Sequence, residues 1–295
     1  MSIPRRQIRE LLARYKHEPG TRDIFVEGSL DQSMIKRFLR NSGHPSVGIL
    51  PIRLIEVPDR LLLPHELGSD KGRLTALARH LEAELGHGVP PVRCVVDRDF
   101  DGIIPPPPTE SMSSLVLPTD YSSMEMYFFD SERLDGVLSE IRGASGIESS
   151  SLLQAIGATL REVSSIFAAS YALDLKCGHI EVSRCASFSP STGLVFDRAE
   201  YIVRYLNKGG VMDRREDLEA EMARIKAIAP SDVRDWTRGR DFLPLLSFAL
   251  RNHGGIGSQE CRVSSLKDLF QRATDLRYLQ QFSLFRELQE WCSTK

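Results

Sequence analysis

The junction that most constrains this chain is the apolar run Val92-Arg93-Cys94-Val95-Val96, which leads straight into Asp97-Arg98-Asp99-Phe100-Asp101. A run this short, rich in β-branched residues and halted by acidic ones, reads as a buried strand. Asp23-Ile24-Phe25-Val26-Glu27, closed by Gly28, reads the same way. Between these runs the spacing predicts a helix over Leu30 to Asn41, a strand-like stretch over Val47 to Val57 and a helix over Asp70 to Leu85. Strand, helix, strand, helix, strand is the pattern of a parallel sheet with helical crossovers, so the predicted fold class is α/β. Ser29 followed three positions later by Gln32 predicts a capping box at the start of the second helix.

Around this unit the reading is simpler. Ile3 to Lys16 has helical spacing and is stopped by Pro19-Gly20. Pro105 to Pro108 breaks regular structure, making Phe100 to Ser114 a loop before a short strand at Leu115 to Leu117 and a polar turn, Pro118 to Tyr121, that opens a helix carrying Glu125. Beyond Ser131 helical periodicity dominates, over 149–173, 198–206, 214–228, 241–252, 266–273 and 282–292, with a less regular interval from Cys177 to Phe196. Two regions follow: residues 1–130 as the sheet-bearing catalytic domain, and 131–295 as a mostly helical domain for substrate binding, dimerisation or partner docking. The row Phe242, Leu245, Leu246 and Leu250 serves either as core or as such a docking face.

Composition narrows the function classes. A net charge of −2 excludes a protein that coats nucleic acid by bulk positive charge, though not an enzyme that holds metal on carboxylates. Five widely spread cysteines form no C-x-x-C pair, which argues against a disulfide framework or a zinc ribbon. No apolar run reaches membrane-spanning length, and the expected address is the reducing cytoplasm.

Carboxylates delivered by strand ends are suited to divalent magnesium, which takes hard oxygen ligands and keeps several waters. In extended geometry residues two apart share a side, so Asp97 and Asp99 can aim at one ion, with Glu27 from a neighbouring strand as a further ligand or general base. Asp31 is either a ligand or an exposed residue one turn into its helix; Asp120 and Glu125 are either supporting carboxylates or capping groups. Lys71 and Arg73 sit at a helix start that could meet phosphate, and Arg214, Arg215, Arg238 and Arg240 supply local positive charge for a nucleic-acid backbone; solvated helix faces explain all six equally.

The motifs Phe25-Val26-Glu27-Gly28-Ser29-Leu30-Asp31, Val95-Val96-Asp97-Arg98-Asp99-Phe100-Asp101 and Thr119-Asp120-Tyr121-Ser122-Ser123-Met124-Glu125, with a weaker echo at Arg238-Gly239-Arg240-Asp241-Phe242-Leu243, resemble a TOPRIM-like family. Its members neighbour ABC-type ATPases in bacterial anti-phage loci, among them the effectors of PARIS-type defence systems. The resemblance implies a TOPRIM-like sheet and a Mg²⁺- or Mn²⁺-dependent nuclease, held inactive by an ATPase sensor subunit, that cleaves transfer RNA once released. A homodimer of the active form belongs to the same expectation. It also implies roles: Glu27 as catalytic acid or base, Asp97 and Asp99 as catalytic metal ligands, and Asp101 and Glu125 as supporting carboxylates, with Asp101 a further candidate for the metal and Asp31 and Asp120 for support.

Other readings of the same residues compete. Asp97-x-Asp99-x-Asp101-Gly102 opens like a calcium-binding loop, but its twelfth position is Pro108 where a bidentate Glu is needed. An Asp-x-Asp phosphatase would leave the Glu27-Gly28 strand unexplained. A non-catalytic TOPRIM-like module that docks on an ATPase is the alternative from a different class.

Overall fold

The computed structural model describes residues 5–18, 20–86, 91–104, 112–189, 193–254 and 256–294. In chain order these form β1 (Arg6–Gln7), α1 (Ile8–His17), β2 (Asp23–Val26), α2 (Ser29–Asn41), β3 (Gly48–Pro51), β4 (Ile55–Glu56), α3 (Asp70–Leu85), β5 (Val92–Val96) and β6 (Val116–Pro118). There follow α4 (Ser131–Glu140), α5 (Ser149–Ala172), β7 (Ala186–Ser189), β8 (Gly193–Phe196), α6 (Arg198–Gly209), α7 (Arg215–Ile228), α8 (Phe242–His253), α9 (Val263–Ala273), α10 (Leu276–Leu279) and α11 (Ser283–Ser293). The protein is therefore α/β, with parallel strands flanked by helices and an extensive helical region.

The chain divides into two compact units, Met1–Asp97 with Pro107–Asp120 and Asp275–Lys295, and Arg98–Pro106 with Tyr121–Thr274. These differ from a cut at residue 130: the last two helices belong with the sheet, and Tyr121–Asp130 belong with the helices. Long-range packing is the reason. Phe38 of α2 and Phe285 of α11 lie 4.9 Å apart between ring centroids, and both are buried.

In the first unit four parallel strands run in the order β3-β2-β5-β6. All four residues of β2 are buried, as expected of a central parallel strand covered on both faces. One face packs Phe25, Cys94 and Val96 against Leu74, Leu77 and Leu81 of α3 and Leu11 of α1. Each of these large side chains contributes about 1.5–3 kcal/mol by leaving water.

Four local expectations are corrected. Helix α1 begins at Ile8, because Arg6–Gln7 pair in parallel with β4; residues 1–4 and Pro19, part of the expected helix and its stop, lie outside the described residues. The stretch Val47 to Val57 is two strands separated by a 3₁₀ turn, Ile52–Leu54. Helix α2 is capped by Gly28 and Asp31, whose Oδ2 accepts the Gly28 N–H at 2.7 Å, while the Gln32 amide donates to Ile49 O at 2.8 Å. Glu125 sits in a 3₁₀ turn, Met124–Phe128. Of the expected loop from Phe100 to Ser114, the segment 105–111 lies outside the described residues.

The second unit is built on α5, packed with α7 and β8, and on α4 with α9. Phe242, Leu245, Leu246 and Leu250 of α8 are all buried, so that apolar row is core rather than a docking face. Gly254, with φ +89°, ends α8 in a backbone conformation that suits glycine. The irregular interval from Cys177 contains the antiparallel hairpin β7–β8. Among the described residues no helix is long and apolar enough to cross a membrane.

Candidate metal centre

Glu27 and Asp97 are brought together by the sheet. Strand β2 pairs with β5 so that Val26 lies opposite Val95, and both chains then leave the sheet at their carboxyl ends. In open parallel sheets this is the edge where ligands bind. Glu27 Oε1 accepts the main-chain N–H of Asp97 at 2.8 Å, and both residues are half-buried.

Asp31, one turn into α2, is buried, with 7% of its surface exposed. Its carboxylate is committed to the Gly28 N–H, which fixes the turn that follows Glu27. The exposed alternative for Asp31 is thus excluded, and its observed role is to shape the Glu27–Gly28 corner. The two oxygens of Asp120 accept the N–H groups of Ser283 at 2.8 Å and Leu284 at 3.2 Å, capping α11 across 163 positions of sequence. Capping was one of its two readings, but of a helix far along the chain.

The boundary between the units falls between Asp97 and Arg98, so Asp99 and Asp101 belong to the second. Strand β5 ends at Val96, and Asp99 is exposed in a turn with φ +50°. The extended geometry that was to align Asp97 with Asp99 is therefore absent, because a left-handed residue breaks the period-two alternation of a strand. Asp99 N–H donates to Ser122 O at 2.8 Å, and Asp101 N–H to Arg98 O at 2.9 Å. Ser122 in turn receives neighbours from far along the chain: its N–H donates to Arg234 O at 2.8 Å and its hydroxyl to Thr237 O at 2.5 Å. Sequence reasoning missed this anchor; Ser122-Ser123 directly after Tyr121 was its only trace.

Glu125 is half-buried beside Gly239, where a Cβ would lie 3.1 Å from Glu125 Cβ and 1.9 Å from Ser123 Oγ. The motif echo at 238–243 thus packs on the motif at 119–125. Arg238 is not available to a nucleic-acid backbone. Its guanidinium lies 3.5 Å from the Phe167 ring centroid, and its Nε is 3.8 Å from the buried Asp241 carboxylate. Burial pushes the Asp241 carboxyl up, against the pull of Arg238, His179 and Arg240.

The other basic candidates are mostly engaged. Arg73 donates to Ile55 O at 2.7 Å, Arg214 pairs with Asp217 at 2.6 Å and Arg215 with Glu219 at 3.0 Å. Lys71 is half-buried in the first turn of α3, and Arg240 is exposed.

Among the described residues no group of three or more His, Cys, Asp or Glu side chains is assembled as a metal cage. Magnesium does not need one, since one or two carboxylates with waters and a substrate phosphate complete its shell. A carboxylate accepts at about four positions, so an N–H bond and a metal ion are compatible partners for Glu27. The donor set of Glu27 and Asp97, hard oxygens on a fixed strand edge, fits such an ion. Neither a family model nor a curated protein sequence matches the chain.

Proposed function

We propose that the chain is a Mg²⁺-dependent TOPRIM-like phosphodiesterase that cleaves RNA. The observation that carries this reading is the meeting of Glu27 and Asp97 at the carboxyl ends of adjacent parallel strands. Their carboxylates would hold the ion, which when bound polarises a phosphoryl oxygen and neutralises its charge. Asp97 acts as ligand, and Glu27, oriented by the Asp97 N–H, holds or accepts a proton near the scissile phosphate. Asp31 keeps the Glu27–Gly28 corner in place. The motif resemblance extends the proposal to transfer RNA as substrate, to an ABC-type ATPase as the restraining partner, and to a toxic anti-phage role like that of AriB in the PARIS system; for substrate and partner it is the only support.

Incubating the purified chain with transfer RNA, other RNAs and DNA, in Mg²⁺ or Mn²⁺ and in chelator, tests the reading. Metal-dependent cleavage by the wild type that disappears in Glu27→Ala and Asp97→Ala is the expected result. Equal cleavage by wild type and Glu27→Ala would overturn the assignment. A docking module without catalysis loses its main sequence support, since the apolar row of α8 is buried in the core.

A further inference from the structure

At the end of the sheet where β2 begins, opposite Glu27, the first unit carries a largely polar cleft of about 490 Å³, with Arg14, Glu18, Thr21, Arg22, His44 and Ser46 in its wall. Two guanidinium groups meet beside it on one indole: Arg22 lies 5.0 Å and Arg93 5.4 Å from the Trp291 ring centroid. Arg22 donates to Thr294 O and Arg93 to Val92 O, and among the described residues neither has a carboxylate at ion-pair distance. Burial lowers the Arg93 pKa and the Arg22 charge lowers it further, with Glu287 opposing. Arg14, in the same wall, differs: it is neutralised by Asp23 at 2.9 Å and Glu18 at 3.4 Å.

Two half-buried arginines held close repel each other, Glu287 offsets this only in part, and a shared anion lowers the remaining cost. Guanidinium forks match phosphate oxygens in shape, and aromatic stacking holds the forks in place. Ser46 and His44, whose Nε2 is 3.4 Å from Ser293 Oγ, also line the cleft, while the Thr21 hydroxyl donates to Glu18 Oε2 at 3.1 Å. We infer that this cleft binds a terminal phosphate group, carried either by a free nucleotide or by the 5′ end of an RNA strand. The site needs no metal and does not depend on the catalytic reading of Glu27.

Calorimetric titration of the full chain in EDTA tests it, with ADP and with a short RNA oligonucleotide bearing either a 5′-phosphate or a 5′-hydroxyl. Saturable binding of ADP or of the 5′-phosphorylated strand is expected, weakened at least about tenfold by Arg22→Gln and by Arg93→Gln, and less by Arg22→Lys, which keeps the charge without the fork. Whichever probe binds more tightly assigns the source. Should Arg93→Gln fail to fold, the only partly buried Arg22 carries the test. Glu27→Gln should bind as the wild type does, so failure here leaves the nuclease proposal standing. No saturable binding of any probe, equal affinity for the 5′-hydroxyl strand with none for ADP, or unchanged affinity in Arg22→Gln would overturn the inference.

Discussion

Glu27 Oε1 accepts the main-chain N–H of Asp97 at 2.8 Å, joining two acidic residues 70 positions apart. The bond falls where the β2–β5 ladder has just ended: beyond Val26 the backbone turns into α2, and the Glu27 side chain supplies the acceptor that the strand no longer offers. One carboxylate thus satisfies a backbone donor at the strand edge that also carries Asp97.

That dual role separates charge from structure. Glu27→Gln keeps an oxygen able to accept the Asp97 N–H, so stability should change by less than about 1 kcal/mol, within the net worth of one hydrogen bond. Metal-dependent cleavage should fall at least about a hundredfold, as expected when several kcal/mol of charge stabilisation is removed. Thermal melts alongside cleavage rates check both parts; a large loss of stability with unaltered cleavage would place Glu27 in a purely structural role.

Asp120 makes the converse case. Its carboxylate caps α11, where negative charge also meets the positive end of the helix dipole. Asp120→Ala should cost about 0.5–2 kcal/mol, and Asp120→Asn, which still accepts, clearly less. Urea melts read the difference. Loss of cleavage in both variants at unchanged stability would make Asp120 a supporting carboxylate of the site.

The elements from Asp23 to Val96 were legible because each carries a strong local period: β2 and β5 as apolar runs, and α3 with the bounds Asp70–Leu85 that its spacing predicts. Glu27 and Asp97 could be placed at strand ends for the same reason. What was not legible depends on partners far away. Nothing local in Ser283–Ser293 says that Phe285 returns to Phe38 or that Asp120 caps that helix. Nor does Asp97-Arg98-Asp99 announce that its third residue turns left-handed onto Ser122 O. Gly28 was passed over as a cap in favour of Ser29, whose side chain advertises the role more strongly.

Gly239 is where the 238–243 stretch touches the 119–125 motif. An added Cβ would land 1.9 Å from Ser123 Oγ and 3.1 Å from Glu125 Cβ, both in buried or half-buried surroundings. Gly239→Ala should therefore destabilise by about 1–3 kcal/mol, the usual cost of overpacking. Gly20→Ala is the control: no atom lies within 4 Å of its added Cβ, and its backbone is not left-handed. If Gly239→Ala melted no earlier than the control, the close approach would be refuted.

Acid should weaken the first unit through Glu66. Its side chain is 4% exposed and receives two bonds from the Arg79 guanidinium, at 2.5 and 2.8 Å, with a third from the Leu63 N–H at 2.8 Å. Burial pushes the Glu66 carboxyl up, but the Arg79 fork and the Leu63 N–H outweigh it and hold the group below its ordinary value of 4.5. A carboxyl with a lower pKa folded than unfolded binds fewer protons when native. Its contribution is therefore complete above about pH 4.5 and is lost as the pH falls through the folded value. Melting temperatures recorded from neutral pH downwards should drop steeply below about pH 4.5, and Glu66→Gln should lower the plateau while flattening that acid limb. Arg79→Met, which strands a buried carboxylate, should cost about 3 kcal/mol at neutral pH and regain part of that as acid protonates Glu66. An acid limb of the same slope in wild type and Glu66→Gln would assign the pH dependence to other carboxylates.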